Sequence, residues 1–161
     1  AIYGDAGPNR LSGVDGTDDI RGAGGNDTIL PGIGGTTTTT GGGGIDTLSY
    51  SDLANCSQLR LTIDTAAHAV DSSNASLCFL SDLHQTFSSF ESFVGSRYKD
   101  VFDGGPANDT FHGGGSADSL LGRAGDDSLY GQGGNDTLNG GIGVDVCAHG
   151  PGSGNVVNCE S

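Results

Sequence analysis

The sequence has few basic side chains and no long apolar run. Only 6 Lys and Arg stand against 20 Asp and Glu, which gives a formal net charge of −14. So acidic a surface argues against nucleic acid or an anionic membrane as a partner, because both require a cationic face. No segment approaches the roughly 18 apolar residues of a membrane span. We therefore expect no nucleic-acid partner and no membrane-spanning segment.

The motifs that commonly carry catalysis are also missing. The sequence contains no G-x-S-x-G, no H-E-x-x-H and no G-x-x-x-x-G-K-[ST]. Its four histidines are scattered without the spacing of metal ligands, at His68, His84, His112 and His149. No C-x-x-C pair occurs, which argues against structural zinc. We predict that the chain is not an enzyme.

An initiator methionine and an apolar signal segment are absent from the start of the chain. The first residues do not open a repeat cleanly either, because Ile2 falls where the last apolar residue of a preceding unit would stand. We expect a chain that is mature, processed or excised from something longer, with a first coil that begins in the middle of a strand. An open coil end of this kind would allow end-to-end association of copies.

Cysteine is scarce, and the chain has an even number of cysteines, four in all. Two disulfides explain them better than zinc, and pairing by proximity gives Cys56–Cys78 and Cys147–Cys159 as the simplest of three connectivities. Disulfides form and persist in oxidising compartments. We therefore predict a secreted, extracellular protein.

Glycine, by contrast, is abundant, with 31 residues, and it accompanies aspartates at a fixed period. The unit Gly131–Asn139 reads G-Q-G-G-N-D-T-L-N, and an apolar residue stands two positions after its aspartate. The aspartates of this block lie nine residues apart, at Asp100, Asp109, Asp118, Asp127, Asp136 and Asp145. A fixed period indicates a repeat architecture. It argues against disorder, since a disordered segment has no need to keep one apolar residue in phase.

A second block of the same pattern precedes it. We call the position of the aspartate in each unit the acid position, and the position two residues later the apolar position. In the first block the acid position holds Asn9, Asp18 and Asp27, and the apolar position holds Leu11, Ile20 and Ile29. The next acid position falls on Thr36, within the run Thr36–Thr40, and the pattern resumes one residue late at Asp46 and Leu48. This threonine run, flanked by glycines, predicts a polar loop that bulges from one turn.

We divide the single domain 1–161 into three segments: a first repeat block at 1–51, a glycine-poor, strand-rich segment at 52–94, and a second block with a C-terminal cap at 95–161. In the middle segment, Leu59, Leu61 and Ile63 alternate with polar residues, as in a strand with one buried face. The interval from Asp46 to Asp100 is a whole number of repeats. The segment either continues the same coil without metal turns or forms an inserted hairpin.

The units resemble the GGxGxDxUx nonapeptide of the RTX proteins over residues 4–48 and 95–157. The resemblance implies an all-β fold, the parallel β-roll, which is a solenoid. In that family, a turn and a short strand alternate, and two consecutive units form one coil. The resemblance also implies that calcium is the cofactor.

With two units in each coil, the aspartates form two stacks, one on each edge of the roll. Carboxylates one strand spacing apart repel by about 1 kcal/mol in water and about 3.5 kcal/mol at an effective dielectric of 20. Calcium relieves this repulsion and accepts 6–8 oxygens in flexible geometry, including backbone carbonyls, whereas magnesium demands a tighter octahedron. The candidate ligands are Asp18, Asp27, Asp46, Asp109, Asp118, Asp127, Asp136 and Asp145. We leave Asp100 out because Tyr98 and Lys99 crowd it. The alternative is that some of these aspartates only cap turns.

These expectations describe an extracellular calcium-binding β-roll whose folding is coupled to calcium. We expect a structural or adhesive role, with a fibre subunit as one form of it. Its partners would be further copies, other extracellular proteins or glycans. The alternative function is a C-terminal folding or secretion module of a larger secreted enzyme or toxin, since RTX family members often carry their repeats in that way.

Overall fold

The computed structural model describes residues 1–14, 16–32, 35–53, 60–73 and 84–160. Within these ranges every regular element is a β-strand. The described part of the chain therefore offers no long apolar helix that could cross a membrane. The predicted Cys56–Cys78 bridge and Leu59 of the predicted strand lie outside the described residues.

Ten strands form the first sheet, and all of their neighbours are parallel except in the middle segment. Their order across the sheet is β1-β3-β5-β9-β8-β7-β11-β13-β15-β17. The strands are β1 (Ile2–Tyr3), β3 (Asp19–Gly24), β5 (Thr38–Gly43), β7 (Arg60–Asp64), β8 (Ala69–Ser73), β9 (His84–Ser88), β11 (Val101–Asp103), β13 (Ser119–Ala124), β15 (Thr137–Ile142) and β17 (Asn155–Val157).

The second sheet contains seven parallel strands in the order β16-β14-β12-β10-β6-β4-β2. They are β2 (Arg10–Ser12), β4 (Thr28–Leu30), β6 (Thr47–Ser49), β10 (Ser92–Val94), β12 (Thr110–Gly115), β14 (Ser128–Gly133) and β16 (Val146–Ala148). In the second block each strand pairs with the strand two repeats further along the chain, as Phe111 does with Leu129. The chain thus alternates between the two sheets and forms a parallel β-solenoid, which confirms the predicted fold class.

The apolar residues of the repeats point into the narrow space between the two sheets. Leu120, Leu129 and Leu138 are at most 1% exposed. Larger rings fill the middle of the roll, where the centroids of Phe102 and Phe111 lie 5.0 Å apart. Because one residue per strand of each repeat supplies this core, a shift of register by one residue would turn the apolar side chains outward.

The middle segment combines both of the predicted alternatives. In the first sheet, β7, β8 and β9 form an antiparallel meander. Its outer strands join the coils on either side in parallel, β9 with β5 and β7 with β11. In the second sheet, β6 pairs directly with β10. The segment therefore inserts a hairpin into one sheet while the other continues as a regular roll.

The last three threonines of the run Thr36–Thr40 belong to a strand, so the prediction that the run forms a bulging loop is wrong for them. Thr38–Gly43 forms β5, with Thr39 buried where an apolar residue would stand. Thr38 pairs with Asp19, which places Thr37, and not Thr36, level with Asp18 in the acid position. The extra residue of this coil therefore precedes Thr37. Threonine is found here in β5 and in its neighbour β9, where Thr38 pairs with Thr86. The β-branched threonine side chain suits the surface of a sheet.

The residues after β16, which we call the cap, add one more strand to the first sheet. Asn155, Val156 and Val157 form β17, which pairs with β15. Cys147, packed against the core, is joined to Cys159 with their Cα atoms 5.9 Å apart. The bridge therefore links the last strand of the second sheet to the cap, as the spacing predicts.

Candidate metal sites along the two edges of the roll

The turns that connect the two sheets stack into two edges. We call the turns that lead from the first sheet to the second the first edge, and those that lead back the second edge. The acid position of each repeat is the last residue of its turn, immediately before the next strand. Consequently the aspartates fall on alternate edges, as the spacing predicts.

On the first edge, four carboxylates accept a hydrogen bond from the backbone N–H of the acid position one coil earlier, those of Asp27, Asp46, Asp127 and Asp145. Asp109 N donates to Asp127 Oδ1, and Asp127 N donates to Asp145 Oδ1, both at 2.8 Å. The first block repeats the arrangement, since Asn9 N donates to Asp27 Oδ1 and Asp27 N to Asp46 Oδ1 at 2.8 Å. One oxygen of each carboxylate is therefore used to join neighbouring coils.

The second edge has the same arrangement with a shorter run. Asp100 N donates to Asp118 Oδ1 at 2.8 Å, and Asp118 N donates to Asp136 Oδ1 at 2.9 Å. Near the start of the chain, Asp18 N donates to the hydroxyl of Thr37 at 3.3 Å. Threonine thus replaces the acceptor of the stack but brings no charge.

The second oxygen of most of these carboxylates is buried and has no hydrogen-bond partner among the described residues. Such an atom is costly unless a donor or a cation compensates it, and a charged group costs more than a neutral one. The pattern is common to both edges and both blocks. The unpartnered atoms are the Oδ2 of Asp18, Asp27, Asp46, Asp118, Asp127, Asp136 and Asp145.

Each of these oxygens lies beside a glycine that stands five residues earlier. At Gly122, an added Cβ would lie well under 3.0 Å from both Asp127 Oδ2 and the carbonyl oxygen of Gly140. Gly22 has the same surroundings, formed by Asp27 Oδ2 and the carbonyl of Gly41. Glycine is required because a side chain would fill a small space lined by a carboxylate oxygen and a carbonyl oxygen from the next coil.

This combination of donors fits calcium. Among the described residues, no three His, Cys, Asp or Glu side chains come together as a metal-binding cluster. Side chains alone therefore do not form a site, and backbone carbonyls must complete it. Mixed carboxylate and carbonyl oxygen is the ligand set that calcium prefers, whereas zinc prefers nitrogen and sulfur.

Two aspartates differ from the others because protein donors already satisfy their Oδ2 atoms. The Oδ2 of Asp100 accepts from the backbone N–H of Ser96 at 2.6 Å and from the Ser96 hydroxyl at 2.9 Å. The Oδ2 of Asp109 accepts from the Thr65 hydroxyl at 2.8 Å. Asp100 was not among the predicted ligands. Asp109 was, and the meander supplies the threonine that occupies its oxygen.

Burial makes the charged form of several stacked carboxyls unfavourable. Desolvation raises the pKa of Asp118 to about 8, and its neighbours Asp100 and Asp136 add to the shift by repulsion. Desolvation also raises the pKa of Asp127 to about 6. The pKa of Asp46 is raised mainly for the same reason. Without a cation, the roll therefore holds part of its carboxyl groups in the protonated form near neutral pH.

A second and exposed ladder runs in the opposite direction along the first edge. The residue before the aspartate accepts from the coil that follows, as Asn108 Oδ1 does from Asp126 N at 2.9 Å. Asp126 Oδ1 in turn accepts from Val144 N at 2.9 Å. On the second edge, Asn135 Oδ1 accepts from Ser153 N at 3.0 Å. Asparagine precedes aspartate in these units because its amide oxygen joins consecutive coils.

Both glutamates of the chain join the first edge, although neither was among the predicted ligands. Glu91 Oε2 accepts from Asp46 N at 3.0 Å, and Glu160 Oε2 accepts from Asp145 N at 2.8 Å. Each therefore ends a run of stacked carboxylates on the first edge. A signal was present for Glu91, which stands nine residues before Asp100 and two before the buried Phe93. Glu160 lies out of phase with the repeat and gives no such signal.

Two stacks of buried carboxylates on the edges of a parallel solenoid define a calcium-binding β-roll. The family model of the RTX calcium-binding nonapeptide repeat (4 copies) matches residues 2–29, 88–120 and 112–147. These segments cover more than half of the chain, which therefore belongs to this family, and its cofactor is calcium. Among curated proteins, none gives a significant match.

Proposed function

We propose that the chain is a non-catalytic extracellular module that calcium folds and stiffens, with a structural or adhesive role. Its calcium ligands are the seven aspartates whose Oδ2 atoms are buried and unpartnered, together with the carbonyl oxygens that face them across the glycine positions. Bound calcium supplies positive charge where stacked carboxylates would otherwise repel one another. Asp109 contributes less than the other predicted ligands, because Thr65 already donates to its Oδ2.

The observation that carries this proposal is the set of buried oxygens without donors. Seven such atoms among the described residues would make the calcium-free roll unstable at neutral pH, since each ionised carboxylate would remain uncompensated. Binding of the metal and formation of the coils are then coupled, as in other small metal-dependent domains. This coupling would leave the calcium-free roll marginally stable and partly unfolded, and calcium would shift the chain to the folded form.

The extracellular setting is supported by the Cys147–Cys159 pair, since disulfides persist in oxidising compartments. A structural role is supported by the regular parallel stacking. The strands β1 and β2 at one end of the sheets, and β16 and β17 at the other, are edge strands that can pair with another chain. Association of copies through these edges would give a fibre. Pairing with further coils of the same chain fits the second candidate, a folding or secretion module of a larger secreted protein.

Calcium titration of this chain, followed by circular dichroism and sedimentation velocity, tests the proposal. We expect β-structure to form cooperatively as calcium is added, and magnesium at the same concentration to have little effect. Full structure in the presence of a chelator would refute the coupling of folding to calcium. Calcium-dependent growth in sedimentation coefficient would support end-to-end association, and a monomer at all concentrations would favour the folding or secretion module.

A further inference from the structure

At Asp145, on the first edge, the facing carbonyl belongs to a residue that lies after the matched repeats. In the interior of the stack, the carbonyl facing Asp127 Oδ2 across Gly122 belongs to Gly140, a residue of the next coil. At Asp145 the facing carbonyl comes from the residue after β17, the strand that pairs with β15. There an added Cβ on Gly140 would lie well under 3.0 Å from the carbonyl oxygen of Asn158, a cap residue, and 2.5 Å from Asp145 Oδ2.

The carboxylate of Asp145 has one oxygen available to bind a cation. Its side chain is 0% exposed, and its Oδ2 has no hydrogen-bond partner among the described residues. Its Oδ1 is used by Asp127 N. The remaining oxygen therefore points into the same type of space as in the interior sites, with a cap carbonyl in place of a repeat carbonyl.

Glu160 accepts the hydrogen bond that the next aspartate of the stack would accept. Its Oε2 accepts from Asp145 N at 2.8 Å, the length that Asp145 Oδ1 shows to Asp127 N. Its own N–H donates to the carbonyl of Asp145 at 2.8 Å. The longer side chain allows a residue out of phase with the repeat to occupy the place where the next aspartate of the stack would stand.

The Cys147–Cys159 bridge fixes both of these groups. Cys159 lies between Asn158 and Glu160 in the sequence, so it holds the carbonyl and the carboxylate at once. Cys147 lies two residues after Asp145 and packs against the core. Two hydrogen bonds also hold Asn158. Its carbonyl accepts from Gly141 N at 3.2 Å, and its exposed side-chain Nδ2 donates to Asn139 Oδ1 at 2.9 Å.

We propose that Asp145 Oδ2 and the Asn158 carbonyl form a calcium site of the C-terminal cap that the Cys147–Cys159 disulfide holds together. The inference rests on the proposed function, because it assigns calcium to the Oδ2 of this stack. It identifies the carbonyl ligand of this site as that of Asn158, and it adds a positioning role for Glu160 and a dependence of one site on the redox state of the chain. A reducing dithiol transfers two electrons and two protons to the disulfide, which yields two cysteine thiols and the oxidised dithiol.

Reduction removes the covalent link from the segment that carries Asn158 and Glu160 and leaves it held by hydrogen bonds, so it weakens this site and leaves the interior sites intact. Removal of groups that orient metal ligands typically lowers affinity 10–100-fold. We expect a fall of about tenfold or more at one site. The interior site at Asp127 provides the comparison, because both of its oxygens come from repeat residues.

The test uses calorimetric calcium titration of the full chain with and without dithiothreitol. The double variant Cys56→Ser/Cys78→Ser removes the other two cysteines, so the reductant acts on Cys147–Cys159 alone. Amide hydrogen exchange at Asp145 and Glu160 reports whether the cap stays docked. Because a variant without the bridge could fail to fold, Glu160→Ala provides a second route with the disulfide intact. It should weaken the same site, and Glu160→Gln should restore it in part by keeping an acceptor for Asp145 N.

In the Cys56→Ser/Cys78→Ser protein, the supporting result is a dithiol-dependent loss of affinity at one site together with faster exchange at Asp145. Equal affinities and equal exchange before and after reduction would overturn the inference while leaving the calcium-binding function in place. Calcium binding absent from the oxidised protein would overturn both. Unchanged affinity in Glu160→Ala would remove the positioning role of Glu160.

Discussion

The backbone N–H of Asp127 donates to Oδ1 of Asp145, one coil further along the chain, at 2.8 Å. This bond shows how the roll uses the two oxygens of most of the stacked carboxylates. Oδ1 joins neighbouring coils, and Oδ2 is buried without a donor among the described residues. Binding and folding therefore use different atoms of the same side chain, which allows substitutions to separate them.

Asp127→Asn should remove calcium binding at one site and change the coil geometry little. Asparagine keeps an Oδ1 acceptor for Asp109 N, but its amide group places a donor where Oδ2 would meet a cation. The number of calcium ions bound, measured by calorimetry, should fall by at least one. The matched control is Asp126→Asn, because asparagine already occupies the equivalent position at Asn108 and accepts the same type of bond. Equal stoichiometry in the two variants would contradict the assignment of Asp127.

Gly122→Ala should destabilise the calcium-loaded roll by about 1–3 kcal/mol, the usual cost of overpacking. The added methyl would meet Asp127 Oδ2 and the Gly140 carbonyl, the two oxygens that face one another. Urea unfolding at saturating calcium measures the change. Gly43→Ala is the control, since nothing lies within 4 Å of the added carbon there, and it should stay within about 0.5 kcal/mol of wild type. Unchanged stability of the Gly122→Ala protein would show that the space between Asp127 Oδ2 and the Gly140 carbonyl holds no calcium ion.

Calcium binding near pH 7 should release protons. In the metal-free fold, burial raises the pKa of Asp118 to about 8 from an ordinary value of 3.8, so this carboxyl is largely protonated at pH 7. Calcium requires the ionised form and displaces the proton. Calorimetry in buffers of different ionisation enthalpy should reveal the release, and Asp118→Asn should reduce it. Buffer-independent heats at pH 7 would contradict the raised pKa.

The same shift sets the direction of the pH dependence. Because the folded pKa of Asp118 lies above its unfolded value, its contribution to the metal-free fold is fully present below about pH 4 and is lost as the pH rises through about 8. Calcium affinity changes in the opposite direction and should increase between pH 6 and pH 8. Thermal unfolding with chelator and with calcium, compared over this range, should give slopes of opposite sign.

Much of this architecture follows from the nonapeptide period. The spacing of Asp100, Asp109 and Asp118 predicts two stacks and a core of one apolar residue per strand, because each repeat makes contacts only with its neighbours. Local pattern and global fold therefore carry the same information. This is why the edges, the pairing of strands two repeats apart and the buried leucines could be predicted from the sequence.

The features that escaped prediction all depend on contacts between distant segments. Thr65 satisfies Asp109 only because the meander brings residues 44 positions apart together. Thr37 enters the acid position because one extra residue is absorbed before it, and the sequence does not indicate where. Glu160 joins the stack through the length of its side chain and the position of Cys159. No periodicity encodes such relationships, since they belong to the places where the repeat is interrupted.

The thin core makes the roll sensitive to a single charge. Leu129 is 0% exposed and pairs across the second sheet with Phe111 and Cys147. Leu129→Asp would place a carboxylate where no described residue can compensate it, and it should cost about 3 kcal/mol or more and prevent the second block from folding. Leu121→Asp is the matched control, because Leu121 is only partly buried in the neighbouring strand of the first sheet. Calcium-dependent circular dichroism should be lost in the first variant and retained in the second. A normal calcium response in Leu129→Asp would show that this side chain does not belong to the core.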